Sequence, residues 1–166
     1  MKDSRLIATV DVKNSEGILY LLAEDPVFTE IITKGDNKYS FRVKIGKRKI
    51  KADYINKKPI INIDLELESQ LQYQYYESLI TDNEKKVLEK KISDMVKDYI
   101  LEIIKKSQKE FECDIFRFAK YFRADFPKVY KNIDWSEEYS NIKVNVNVKS
   151  KIINMNFSDP NAKQKY

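Results

Sequence analysis

Histidine is absent from the 166 residues of this chain, and Cys113 is the only cysteine. Without imidazole, the chain can form neither a Ser-His-Asp nor a Cys-His nucleophile, and it offers no histidine ligand to a metal. A single thiol forms no intrachain disulfide and no cysteine-cluster zinc site. The three glycines are well separated, so no glycine-rich loop can cradle a phosphate. We therefore expect a protein that is not an enzyme, with no catalytic residues, cofactor or metal.

Long hydrophobic runs are also missing. No stretch reaches the roughly 20 apolar residues of a membrane-spanning helix, and the N-terminal residues lack the apolar core of a signal peptide. The formal net charge of +5 is spread along the chain and indicates solubility rather than a function. Because a strand is predicted almost at the first residue, we expect a piece of a longer protein, from which any targeting segment could have been removed.

The clearest positive signal is one long amphipathic segment, Thr81 to Glu112. Its apolar residues recur at three- and four-residue steps and lie on one helical stripe: Leu88, Ile92, Met95, Val96, Tyr99, Ile103 and Ile104. Thr81 and Glu84 have the spacing of a capping box, which predicts the start of the helix. The apolar stripe must be covered by another element.

Alternating apolar and polar residues predict strands before this helix. The first two are expected at residues 4–12 and 27–34. A meander follows, in which Gly46-Lys47 is predicted to form a tight hairpin turn and Asn56–Pro59 the next turn. From residue 61 to residue 75 one face is apolar, and only Ser69 is out of step. That face should be buried and the other exposed.

The segment after the long helix is rich in aromatic residues. It is predicted to be helical up to Asp125, to break at Pro127 and to continue as a turn or short helix towards Trp135. A last strand begins near Ile142. Beyond Ser150 the apolar phase shifts, which predicts a bulge before Ile153, Met155 and Phe157.

A short helix is expected near the N-terminus, over residues 16–24. Asn14 or Ser15 would cap it, and its inward residues would be Ile18, Leu19, Leu21 and Leu22. Together these elements predict an α+β fold, in which an antiparallel or mixed sheet is covered on one face by the long helix, with additional short helices. Residues 1–158 should form one domain, and residues 159–166 a polar, disordered tail.

A basic cluster is the first candidate site; it comprises Arg42, Lys44, Lys47, Arg48, Lys49 and Lys51. These side chains could contact nucleic acid or anionic lipid headgroups. We prefer a solvated hairpin face, because the nearby aromatic residues fall on the inward phase and cannot stack with bases. No nucleic acid is therefore expected as a partner.

Acidic residues form a second candidate on the strand after this cluster. Asp64, Glu66 and Glu68 share one face, and a cross-strand ladder with Lys49 and Lys51 explains them better than a cation site. Cys113 lies between two acidic residues, so we expect an inert thiol.

The order of residues from the end of the long helix resembles the C-terminal domain of the Ger(x)C spore germination proteins. The resemblance rests on Lys106-Ser107-Gln108-Lys109, Cys113-Asp114-Ile115-Phe116, Phe126-Pro127, Trp135 and the Val-rich last strand. It extends back to the N-terminus, through residues 2–7 and 15–17. Arg117 and Ala119 stand where the family often has glycine, and Tyr130 stands where a second Trp is common. Because Arg and Ala favour helix more than Gly does, the turn there is expected to be more helical.

The resemblance implies the C subunit of a nutrient germinant receptor, an exported lipoprotein on the outer surface of the spore inner membrane. Its partners would be the membrane-spanning A and B subunits, and its lipid anchor would lie outside this chain. The positions matching the family motif, whether structural or at an interface, are Gln108, Asp114, Phe118, Pro127 and Trp135. The first hypothesis is a non-enzymatic domain acting through protein contacts. The alternatives are direct binding of a small nutrient and, more weakly, binding of anionic lipid or nucleic acid.

Overall fold

The computed structural model of the chain describes residues 9–77, 79–154 and 163–164. In this part of the chain the elements follow in the order α1 (Val12–Leu22), β1 (Val27–Lys34), β2 (Asn37–Ile55), β3 (Lys58–Gln74), β4 (Tyr76–Glu77), α2 (Asp82–Lys109), α3 (Phe118–Asp125), α4 (Pro127–Tyr130), α5 (Trp135–Tyr139), β5 (Lys143–Asn154) and β6 (Lys163–Gln164). Four strands form a sheet in the order β1-β2-β3-β5, and β4 pairs with β6 in parallel. The predicted α+β class is confirmed, and the sheet is mixed.

Local turn chemistry and side-chain pairing set the strand directions. Strands β1 and β2 are antiparallel around a turn at Gly35, which has a φ angle of +58°. Between β2 and β3, Asn56 and Lys57 both have positive φ angles, as a two-residue hairpin turn requires. Strands β3 and β5 run in the same direction. Two side-chain hydrogen bonds show this, since Asn62 bonds to Asn145 and Asp64, two residues further along β3, bonds to Asn147. Helices α2 to α5 therefore belong to a crossover connection between parallel strands.

The described residues fall into two compact units. The first unit comprises residues 9–23, Lys49–Asp64 and Asp98–Asn147. The second comprises Glu24–Arg48, the described residues of Leu65–Lys97, and residues 148–154 and 163–164. Four elements are divided between the two units: β2, β3, β5 and α2 each have one part in the first unit and the other part in the second.

In the second unit, the first half of α2 packs against strands. The buried residues here are Phe28, Ile32, Tyr39, Phe41, Val43, Leu65, Leu67, Leu71, Leu88, Ile92, Val96 and Ile152. Polar groups on α2 also contact the strands: Lys91 Nζ donates to the carbonyl oxygen of Thr33 (2.8 Å), and Ser93 Oγ accepts from the backbone nitrogen of Ser150 (2.8 Å). The prediction that the long helix covers the sheet is confirmed.

The capping box at the start of α2 is present as predicted. The backbone nitrogen of Glu84 donates to Thr81 Oγ1 at 3.2 Å, and the backbone nitrogen of Thr81 donates to Glu84 Oε2 at 3.3 Å. Lys34 Nζ lies 2.6 Å from the other carboxylate oxygen of Glu84. These hydrogen bonds, that from Lys34 foremost, lower the pKa of the Glu84 carboxyl.

In the first unit, α1 packs closely against the second half of α2. A Cβ atom at Gly17 would lie 2.6 Å from the carbonyl oxygen of Tyr99 and 2.8 Å from Ile103 Cγ2, so only glycine fits there. The core of this unit also contains an aromatic cluster: Phe116, Phe118, Phe122, Trp135 and Tyr139 are all buried. No helix in the described ranges is long and apolar enough to cross a membrane.

The N-terminal predictions need correction. The strand expected at 4–12 lies partly outside the described residues; residues 9–11 form no strand, and α1 already begins at Val12. The cap is Asp11 rather than Asn14 or Ser15, because Asp11 Oδ1 accepts from both nitrogens of Asn14 at 2.8 Å. Leu21 is buried as predicted, but the earlier start also buries Asn14, Gly17 and Tyr20, whereas Leu19 and Leu22 are exposed.

The hairpin predicted at Gly46-Lys47 is also wrong. Strand β2 continues without a turn from Asn37 to Ile55. Gly46 has no positive φ angle; instead, a Cβ atom there would lie 3.3 Å from Glu68 Cγ. The glycine thus permits close approach of a neighbouring strand rather than a turn.

The bulge predicted beyond Ser150 is wrong as well. Ile152 is buried and Ile153 is 47% exposed, so the alternation of β5 continues without a phase shift. A serine can occupy an inward position at residue 150 because its hydroxyl bonds to Ser69 Oγ at 2.8 Å. Ser69, which was out of step in the sequence, is fully buried. Met155 and Phe157 lie outside the described residues.

Candidate functional site

The last turn of α2 is anchored to the segment that joins α5 to β5. Gln108 Nε2 donates to the carbonyl oxygens of Tyr139 and Ile142, both at 3.0 Å. Lys109 Nζ donates to the carbonyl oxygen of Ser140 at 2.7 Å. One amide and one ammonium group thus satisfy three backbone acceptors where the chain leaves α5, and they fix the path into β5.

A buried hydroxyl pair lies beside this anchor. Ser107 Oγ and Tyr139 Oη are 2.6 Å apart, and Ser107 Oγ also donates to the carbonyl oxygen of Cys113 at 2.6 Å. Burial raises the pKa of the Tyr139 phenol above its usual range, and the hydrogen bond to Ser107 only partly offsets this. The phenol is therefore neutral at ordinary pH and is a hydrogen-bonding group of the core.

Asp114 organises the segment that follows. Its Oδ1 accepts from the backbone nitrogen of Phe118 at 2.9 Å, and its Oδ2 accepts from the backbone nitrogen of Ala119 (2.8 Å) and from Trp135 Nε1 (3.0 Å). The residue directly before α3, Arg117, makes no side-chain cap. Asp114 therefore supplies the cap from four residues ahead of α3 and holds the Trp135 ring in place.

The turn before α3 is not more helical than a glycine turn, contrary to expectation. Arg117 has φ and ψ angles of 58° and 37°, which is the left-handed conformation that glycine adopts at little cost. The path from Asp114 to α3 thus passes through left-handed backbone at Arg117, although arginine carries a Cβ atom.

A surface cleft of about 390 Å³ opens beside this turn. Arg117, Lys120 and Arg123 line it, and Tyr130 and Trp135 contribute aromatic surface. Cys113, which is half-buried, and Asp114 also line the cleft. All of these residues belong to the first unit.

The structure brings together four of the five predicted motif residues. Gln108, Asp114 and Trp135 belong to the hydrogen-bonded segment described above, and Phe118 is buried against Phe116 with ring centroids 5.3 Å apart. Pro127 is exposed at the first residue of α4 and makes none of these contacts.

Sequence reasoning missed the roles of Ser107 and Tyr139, because a serine in the helix and a tyrosine 32 residues later carry no local signal. It also missed the three cations of the cleft. The three-residue spacing of Lys120 and Arg123 on a predicted helix was available as a signal that these two side chains share a face.

The basic cluster and the acidic face lie on β2 and β3. Five of the six cations of the cluster are exposed, and Arg48 is half-buried. Glu66 pairs with Lys47 at 3.7 Å, rather than with the predicted Lys49 or Lys51. Asp64 accepts from Asn147 Nδ2 at 3.1 Å. These contacts describe an ordinary polar sheet surface.

Comparison with known proteins places the chain in a family. Residues 1–156 match the family model described as "Spore germination B3/GerAC like, C-terminal". Among solved structures, the crystal structure of the GerBC protein has the same fold, with a TM-score of 0.78 at 18% identity. The match covers 87% of this chain and 46% of that one, so the chain spans about half the length of that protein. No curated protein matches. The resemblance found in the sequence is thus confirmed, and the chain belongs to the spore germination B3/GerAC-like family as its C-terminal domain.

Proposed function

We propose that this chain is the C-terminal domain of the C subunit of a nutrient germinant receptor and acts in spore germination through protein contacts rather than catalysis. The observation that carries the proposal is the family match over residues 1–156, supported by the fold shared with GerBC. By the same resemblance, the whole protein is a lipoprotein on the outer surface of the spore inner membrane. Its partners are membrane-spanning A and B subunits, and no nucleic acid takes part.

The motif residues act by shaping a surface. The amide nitrogen of Gln108 and both carboxylate oxygens of Asp114 are hydrogen-bonded within this chain, and Phe118 is buried, so these side chains serve mainly the fold. What they position is exposed: α3, α4 and the cleft beside them. We assign the contact with another subunit to this surface, and a secondary contact with anionic lipid to the exposed cations of β2.

Site-specific photocrosslinking of the intact receptor in spores tests the proposal. A photoreactive amino acid at Lys120, on the cleft, should crosslink to another receptor subunit, whereas the same group at exposed Lys86 on α2 serves as the matched control. Deletion of the domain should abolish receptor assembly or the germination response. Normal assembly and germination after that deletion would contradict the proposal.

Direct binding of a small nutrient is the second candidate, because the cleft volume falls within the range of small-molecule pockets. A thermal-shift screen with amino acids, sugars and nucleosides tests it. A ligand that binds only the folded state must raise the melting temperature. If no compound does so at saturating concentration, this candidate fails.

A further inference from the structure

The cleft beside α3 combines a cationic rim with a mostly apolar interior. Arg117, Lys120 and Arg123 are all exposed, and each lies three residues from the next. Among the described residues, none of the three has a carboxylate oxygen within 4 Å of its charged nitrogens. Their charges are therefore not neutralised by ion pairs of this unit.

The single carboxylate of the cleft is already occupied. Both oxygens of Asp114 accept hydrogen bonds, from two backbone nitrogens and from Trp135 Nε1. The cleft is thus lined by three cationic side chains and one carboxylate, and the oxygens of that carboxylate point towards N–H donors of this chain. An anionic ligand would meet a net positive surface.

The aromatic part of the cleft is held rigidly. Trp135 is stacked on Phe122 with centroids 5.3 Å apart, and Tyr130 is tilted against Trp135 at 6.0 Å. The hydrogen bond to Asp114 fixes the remaining freedom of the indole. A preformed apolar surface binds without the entropic cost of ordering its own side chains.

We propose that this cleft docks an acidic peptide segment of a partner protein, with one apolar side chain seated on the aromatic surface and flanking carboxylates on Arg117, Lys120 and Arg123. The identification of the partner as a protein rests on the proposed function. Lys120 and Arg123 lie about one turn apart on α3, whereas Arg117 directly precedes the helix in a left-handed conformation. The three cations therefore occupy separate places along the rim and can meet more than one carboxylate of an extended peptide. Nucleic acid fits less well, because Trp135 is only 9% exposed and offers no open ring face for a base. The apolar side chain of the peptide therefore contacts mainly Tyr130, which is half-buried, and only the exposed edge of Trp135.

The lone cysteine provides the assay. Cys113 lines the cleft, is half-buried rather than fully buried, and is the only thiol in the chain. Although no described residue beside it would make it a catalytic thiol, its reaction with an excess of uncharged 4,4′-dithiodipyridine reports occupancy without any engineering. The probe is the blocked peptide Glu-Glu-Asp-Phe-Leu-Asp-Glu-Glu, and its control has every acid replaced by the corresponding amide. The acidic peptide should slow the reaction saturably, and the neutral peptide should not. High salt should weaken the protection.

Matched variants locate the effect. The triple variant Arg117→Gln, Lys120→Gln, Arg123→Gln should bind the peptide about tenfold more weakly, equivalent to about 1.4 kcal/mol. The control Lys86→Gln, Lys97→Gln, Lys105→Gln makes the same change in charge at exposed residues of α2 that do not line the cleft, and it should bind within twofold of the parent.

Several outcomes would overturn the proposal. One is that the acidic peptide does not slow the reaction of Cys113 at any concentration up to its solubility limit, and another is that it slows the reaction equally in the cleft variant. A third is that free glutamate at the same carboxylate concentration protects Cys113 as well as the peptide does. The last is that phosphatidylglycerol vesicles protect Cys113 and the peptide does not. If the cleft variant does not fold, the parent chain alone still tests the proposal, because the acidic peptide must protect Cys113 and the neutral peptide must not. Crosslinking in spores is measured separately, so failure of peptide binding and failure of the proposed function can be distinguished.

Discussion

Replacing Arg117 with glycine should stabilise the protein, although an arginine is removed and a flexible residue introduced. Arg117 is held in the left-handed conformation at the turn between Asp114 and α3. For a residue with a Cβ atom this conformation costs about 1–2 kcal/mol, and glycine avoids most of that cost. Glycine also makes the unfolded chain more flexible, which costs about 0.5–1 kcal/mol. The difference is a net stabilisation between about 0 and 1.5 kcal/mol.

Urea and thermal unfolding, followed by circular dichroism, measure this difference. A stabilisation of 1 kcal/mol corresponds to a rise in melting temperature of roughly 2–4 °C for a chain of this size. Two controls isolate the cause. Arg117→Ala removes the side chain but retains a Cβ atom, so it should not stabilise. Lys120→Gly places glycine inside α3, where it should destabilise by about 1 kcal/mol.

The opposite signs of the two glycine variants are the decisive result. If Arg117→Gly and Lys120→Gly destabilise the protein equally, the left-handed turn is not a source of strain. If Arg117→Ala stabilises as much as Arg117→Gly, the arginine side chain is responsible rather than the backbone.

Three further substitutions test other contacts. Gly17→Ala should destabilise the protein by about 1–3 kcal/mol, although alanine has the better helix propensity, because the new methyl group would lie 2.6 Å from the carbonyl oxygen of Tyr99. A variant that is more stable than the parent in urea unfolding would contradict the close packing of α1 on α2. Ser107→Ala should cost about 1–3 kcal/mol, because the buried Tyr139 hydroxyl loses its partner, whereas Ser136→Ala on the exposed start of α5 should have little effect in the same assay. The pKa of Glu84 is lowered in the folded state, so the unfolded state binds the proton more readily and stability falls as the pH drops below the ordinary value of 4.5. Glu84→Gln should therefore lose less stability than the parent between neutral and acidic pH; parallel pH profiles would show that the carboxylate makes no net contribution.

The peptide-docking cleft could not be predicted from the sequence, although most of its parts are visible there. Asp114 and Trp135 are visible in the sequence as positions of the family motif. Their hydrogen bond joins residues 21 positions apart, and no local pattern reports it. The cations of the rim were visible as residues but not as a group, because Arg117 lies in a left-handed turn before α3 and only Lys120 and Arg123 lie on the helix.

What the sequence determined by itself were features governed by neighbours within a few residues. The apolar stripe and capping box of α2, the limits of β1 and the alternation of β3 follow from helix and strand periods and from local hydrogen bonds. The tertiary structure decided whether Gly46 turns or continues a strand, which residue of α1 lies against α2, and which inward serines are tolerated. Each of those outcomes depends on a partner distant in sequence: Glu68 beside Gly46, Tyr99 against Gly17, and Ser150 opposite Ser69. Packing against such partners outweighs local propensity, and it is this packing that brings the cleft residues together.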